Sequence, residues 1–185
     1  EKCCHFFDLM RLITKSNPTK IMASGGQAVN HLEENYSGLV PDIWDHGYVI
    51  VEFENNMRAM LELCMFAEGA KYQEEISITG DTGKIEAFVP GPARFWPKKL
   101  GAPPIPKIVV SPRDKSGLRE FDVPVDEMIL EAGDHNGSTF YQHQKFMRVV
   151  DGHQSPEVTL NDGIWAVRMG NAAQVSAETG KVVNF

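Results

Sequence analysis

The chain has 185 residues, a length that suits one domain with its own core, since domains run to about 100–200 residues. Lys and Arg number 18 against 25 Asp and Glu, a formal net charge of -7. That balance argues against a nucleic-acid partner, because phosphate binding needs clustered positive charge, and no apolar stretch approaches the roughly 20 residues that span a bilayer.

The chain opens on Glu1, His5 and Asp8 at the spacing E-x-x-x-H-x-x-D. Residues three or four apart on a helix share a face. A carboxylate beside an imidazole can orient it for proton transfer near neutral pH. The other reading of these acids is a helix start stabilised by its dipole. Apolar residues at Phe6, Leu9, Met10 and Ile13 give a helical spacing over residues 5–14, and Ser16-Asn17-Pro18 stops it. Because the cluster stands at the very start of the chain, the expectation is the C-terminal half of a two-domain enzyme.

Residues 19–29 read as a first strand with a Gly25-Gly26 break, followed by a polar loop from Asn30 to Pro41. Gly47 to Phe53 and Arg58 to Phe66 read as a hairpin turning at Asn55-Asn56, which tolerate positive φ. Glu75 to Thr79 and Lys84 to Phe88 read as a second hairpin across Gly80-Asp81-Thr82-Gly83. Six prolines between Pro90 and Pro106 mark a surface loop, since proline cannot donate to a central ladder. Ile108 to Ser111 and Leu118 to Val123 form a last hairpin. A helix follows, with Ser138 or Thr139 as N-cap and Gly152 as its end. The final helix starts near Thr159 or Asn161, and Lys181 to Phe185 can close as a strand.

Strands segregated from helices predict an α+β fold, a mostly antiparallel, open-faced sheet with helices on one face. The uncovered face needs a cover, and a second copy of the chain is the simplest one, so a homo-oligomer is expected. Cys3, Cys4 and Cys64 form no disulfide framework, which suits reduced thiols and the cytoplasm. No metal site is expected, because adjacent side chains on a helix point apart and Cys3-Cys4 has no CxxC partner. Gly25-Gly26 is no dinucleotide fingerprint, and no G-x-S-x-G elbow is present. Trp44, Asp45, His46, Arg94 and Trp96 could touch a ligand, although such residues more often anchor loops.

The stretch from Glu1 to Ile13 resembles the start of the C-terminal domain in the Gfo/Idh/MocA family of NAD(P)-dependent oxidoreductases, which includes inositol 2-dehydrogenase and glucose–fructose oxidoreductase. That family carries D-x-x-x-H-x-x-D here; this chain has Glu for the first Asp. The hairpin at 47–66, the turn Ile76 to Ile85, and the segments Phe146 to Gly152 and Asp162 to Ser176 are similar to the rest of the family's domain. The resemblance implies a dihydrodipicolinate-reductase-like C-terminal fold over residues 1–185, a single substrate-binding and oligomerisation domain. It implies His5 as catalytic acid–base, Glu1 as its carboxylate partner and Asp8 as support behind them. Tyr72, His135 and Asn136 stand where relatives contact substrate hydroxyls; Tyr72 also reads as a strand-edge aromatic and Asn136 as a turn residue. The implied cofactor is NAD or NADP, held mainly by a Rossmann domain outside this chain, and the implied substrate is a sugar, inositol or related polyol. The 185-residue chain alone is expected to be inactive. The alternative is a binding and oligomerisation module without catalysis.

Overall fold

The computed structural model describes residues 3–185. The chain falls into two compact units, one running to Phe66 and resuming over Glu157–Phe185, the other Ala67–Pro156.

The first unit opens with α1 (Cys4–Thr14), which ends at Lys15 in a left-handed conformation, its N–H donating to the Arg11 carbonyl. Phe7 is the helix's most deeply buried apolar residue, and Cys3, Cys4 and Met10 pack beside it. The packed face is therefore Cys3–Phe7–Met10–Thr14, rotated from the Phe6–Leu9–Met10–Ile13 stripe read in the sequence. The cause lies in the partner, α4 (Leu160–Thr179), whose buried Ala166, Met169, Ala172 and Ala173 share one core cluster with Phe7.

A four-stranded antiparallel sheet completes this unit. It is built from β1 (Pro18–Gly26), β2 (His46–Phe53), β3 (Arg58–Cys64) and β8 (Val183–Asn184), in the order β3-β2-β1-β8. Alternation along β2 sends Gly47, Val49, Val51 and Phe53 inward and leaves Tyr48 and Ile50 exposed. The inward residues join Ile21, Phe7 and the Ala166, Met169, Ala172, Ala173 face of α4 in the core. Each large apolar side chain fully buried there contributes roughly 1.5–3 kcal/mol. Ser176 is buried among them but satisfied, accepting from the Ala23 N–H at 3.0 Å and donating to the Lys181 carbonyl at 2.7 Å.

Helix α4 starts after Thr159, as expected, and Thr159 and Asp162 form a capping box there. Hydrogen bonds from Thr159 and then Arg11 hold the Asp162 carboxyl down to about 2, against the opposing effect of burial. The Arg11–Asp162 pair, 2.9 Å, ties α1 to the first turn of α4.

The second unit holds another four-stranded antiparallel sheet, a meander of β4 (Glu74–Thr79), β5 (Gly83–Val89), β6 (Lys107–Pro112) and β7 (Arg119–Asp122). The second predicted hairpin is present, with Gly80 N–H bonded to the Gly83 carbonyl. Two short 3-10 turns, Ala93–Phe95 and Lys98–Leu100, structure the proline-rich loop. A short helix α2 (Glu127–Ala132), capped by Asp126, has no counterpart in the sequence reading. Helix α3 (Ser138–Val150) starts from Gly137 with no side-chain cap, so neither Ser138 nor Thr139 caps it. Gly152 ends it as expected, at φ +75°. The strands and helices are those of an α+β fold with antiparallel sheets, distributed between the two units.

Candidate functional site

The packing of α1 decides which side chains it offers. With Cys3, Phe7, Met10 and Thr14 turned to the core, the 3.6-residue period puts His5, Asp8 and Leu12 on the opposite face. His5 and Leu12 are exposed and Asp8 is half-buried. His5 makes no hydrogen bond or ion pair with another described residue. Its expected partner Glu1 lies outside the described residues.

A second carboxylate–imidazole arrangement stands in the first unit. Asp45, 1% exposed, accepts from His46 Nδ1 at 2.8 Å and from the N–H groups of Ala28, Val29 and Asn30. Burial pushes this carboxyl up, but the His46 bond and the three amides outweigh it and hold it well below the usual carboxylate range. The arrangement locks the start of the loop between β1 and β2, and Asn30 Nδ2 adds a 3.0 Å bond to the Met65 carbonyl. Asp45 is thus a loop anchor, the plainer of the two sequence readings. The signal available was its place directly before a strand, two residues ahead of a glycine.

In the second unit, Tyr72 packs against Phe88 with ring centroids 5.2 Å apart, and Lys71 Nζ lies 5.1 Å from the Tyr72 ring. His135 and Asn136 occupy a turn in which both adopt positive φ, +64° and +51°, followed by Gly137 at +84°. Such backbone costs of order 1–3 kcal/mol per non-glycine residue and persists only where surroundings enforce it. Here Asn136 Nδ2 donates to the Pro90 carbonyl at 3.0 Å. Arg94 grips Asp134 with two hydrogen bonds, Nε–Oδ1 2.9 Å and Nη2–Oδ2 2.5 Å. The Arg94 guanidinium beside Asp134 holds that carboxyl below its ordinary value. A cleft of about 40 Å³ lies between Pro92 and Arg94 on one side and Leu130, Asp134, His135 and Asn136 on the other. The structure thus brings His135 and Asn136 together with Arg94, a residue noted in the sequence, and with Asp134, which was not.

Among the described residues no three His, Cys, Asp or Glu side chains cluster to hold a metal, and no helix is long and apolar enough to cross a membrane. Nor does any strand lead through a glycine-rich turn into a helix among them, so they offer no cradle for a dinucleotide pyrophosphate.

Solved structures share the fold. An aldose–aldose oxidoreductase from Caulobacter crescentus, solved with glycerol, matches 99% of this chain at 12% identity with a TM-score of 0.64. An oxidoreductase from Agrobacterium radiobacter, in complex with NAD+, L-tartaric acid and magnesium, matches 98% at 17% identity and 0.64. The WlbA dehydrogenase from Bordetella pertussis, with NADH and UDP-GlcNAcA, matches 100% at 11% identity and 0.58. The chain spans 46%, 47% and 44% of those three proteins, respectively. A search among curated proteins finds no match. Residues 1–185 match the oxidoreductase family's C-terminal alpha/beta domain, and the chain therefore belongs to the Gfo/Idh/MocA oxidoreductase family.

Proposed function

We propose that the chain is the substrate-binding and catalytic half of an NAD(P)-dependent dehydrogenase acting on a CH–OH group of a sugar, inositol or related polyol. One observation carries this reading: α1 buries Phe7 and turns His5, with Asp8 one turn further on, away from the core. A nicotinamide cofactor, held mainly by a Rossmann domain outside this chain, would supply the hydride chemistry when bound. His5 accepts the hydroxyl proton as the carbonyl forms, and returns it in the reverse direction. Glu1, as the carboxylate partner of His5, and Asp8, as support behind them, are assigned on the family resemblance. Tyr72, His135 and Asn136 are assigned to substrate hydroxyls on the family resemblance; Asn136, its amide nitrogen bound to Pro90, has Oδ1 left to accept. Relatives of the same fold solved with glycerol, UDP-GlcNAcA, NADH and NAD+ support the substrate and cofactor classes.

The chain is read as one functional domain of that enzyme, inactive in isolation, and Cys3, Cys4 and Cys64, none of them in a disulfide, agree with a cytoplasmic setting. Homo-oligomerisation through the open face of the β3-β2-β1-β8 sheet is supported by Tyr48, Ile50 and Met60, which are 53%, 41% and 64% exposed. The same face favours the second reading, a module that binds or assembles without catalysis. The deciding experiment is NAD+ and NADP+ reduction by the full-length protein against a panel of sugars and inositols, with His5→Ala alongside. Turnover lost in the variant supports the dehydrogenase; turnover indifferent to His5, or none with any substrate, leaves the module.

A further inference from the structure

Charge is segregated along this chain. No Lys or Arg occurs between residues 21 and 57, and no Asp or Glu between residues 87 and 113. The first stretch contains the loop joining β1 to β2, residues 27–45. That loop is internally built: Asp45 fixes its base, Tyr36 and Leu39 exchange backbone hydrogen bonds, and Glu34 holds both His31 Nδ1 and the Tyr36 hydroxyl. It nevertheless presents Leu32, Leu39 and Ile43 at 52%, 74% and 58% exposure. Two acids on it, Glu33 and Asp42, are exposed and make no ion pair with a described residue.

The second stretch contains the proline-rich loop, whose two 3-10 turns expose Phe95 and Leu100 at 69% and 59%. Arg94 is occupied by Asp134, while Lys98 and Lys99 are exposed and make no ion pair with a described residue. One loop thus offers apolar side chains edged by free carboxylates, the other apolar side chains edged by free ammonium groups.

We propose that these loops are the two halves of one interface, the loop at 27–45 of one copy receiving the loop at 93–100 of a second copy. Complementary charge fixes the pairing and its register, and the apolar side chains between the charges lose water. Both loops are held by their own hydrogen bonds, so little ordering entropy is lost on docking. Every copy carries both halves, so the contact can form between identical chains. The contact uses neither Ile50 nor Met60 and is independent of the open sheet face.

The test is the association constant of the full-length protein, measured by sedimentation over a range of concentrations at low and moderate salt. Lys98→Glu with Lys99→Glu, and separately Glu33→Lys with Asp42→Lys, are each expected to weaken self-association about tenfold or more. Joining all four substitutions restores it, because the charges are exchanged rather than lost. All four positions are exposed, and thermal melting checks that each variant is folded. The proposal is overturned by a protein monomeric at every concentration, by double variants that associate normally, by a quadruple variant no better than the doubles, or by association that only Ile50→Glu with Met60→Glu disrupts.

Discussion

His46 Nδ1 donates a 2.8 Å hydrogen bond to Asp45 Oδ1, and the carboxylate that receives it is 1% exposed. Three amide N–H groups converge on the same two oxygens, so the charge of Asp45 is solvated by the loop it anchors. Asp45→Ala leaves those donors without an acceptor and is expected to lower the melting temperature by roughly 5 °C or more.

The same bonds set a pH dependence. The folded-state pKa of Asp45 lies below its unfolded value, so its stabilisation is fully present above about pH 4 and is lost as pH falls further toward the folded value. Melting temperatures measured between neutrality and strong acid should drop below that point in the wild type. In Asp45→Asn, which has no charge to lose, this part of the acid dependence should be absent.

Phe7 and Leu12 test the orientation of α1. Phe7 is 2% exposed against α4, and Leu12 is 68% exposed on the far side. Phe7→Ala is expected to cost about 3–5 kcal/mol in urea unfolding, while Leu12→Ala stays within about 0.5 kcal/mol. Equal effects would mean that His5 does not face outward as described.

The same helix shows what a sequence pattern can carry. Its limits were legible because Pro18 ends it and the apolar content is high, but several overlapping stripes fit equally well. Choosing the true one needs knowledge of the partner, here the buried face of α4 that clusters with Phe7. The start of α4 at Thr159 and the turn at Gly80–Gly83 were legible because their chemistry is local. Helix α2 was not: six residues are too few for a period to register. The spacing placed His5 and Asp8 on one face of α1, where the structure has them, whereas the Arg94–Asp134 pair, 40 residues apart, could not be read without the fold.

Gly137 illustrates a position where glycine is required twice over. Its φ is +84°, and a Cβ would sit 2.8 Å from Ile129 Cγ2 and 3.0 Å from Val125 Cγ1. Gly137→Ala is expected to destabilise by about 2–4 kcal/mol, combining left-handed strain with overpacking. Gly152 has φ +75° but nothing within 4 Å of its would-be Cβ, so Gly152→Ala should show only the strain, about 1–2 kcal/mol. Urea midpoints of the two variants separate the terms. The packing excess at Gly137 measures how firmly α2 and α3 hold the turn that carries His135 and Asn136.

His5 supports the opposite expectation, a large effect on rate with none on stability. It is exposed and makes no bond with a described neighbour, so truncation leaves no cavity and no orphaned partner among them. If it moves the hydroxyl proton, His5→Ala in the full-length enzyme should lower kcat by about 10²–10⁴-fold, the usual yield of a positioned acid–base group. The melting temperature should stay where it was. Asp8→Asn, which keeps the shape and removes the charge, should lower kcat by less than His5→Ala and leave KM nearly unchanged, because a carboxylate acting through His5 matters more once charge develops there. A fall in KM-dependent binding with kcat intact would instead place His5 in substrate recognition, and a fall in melting temperature would make it a structural residue of α1.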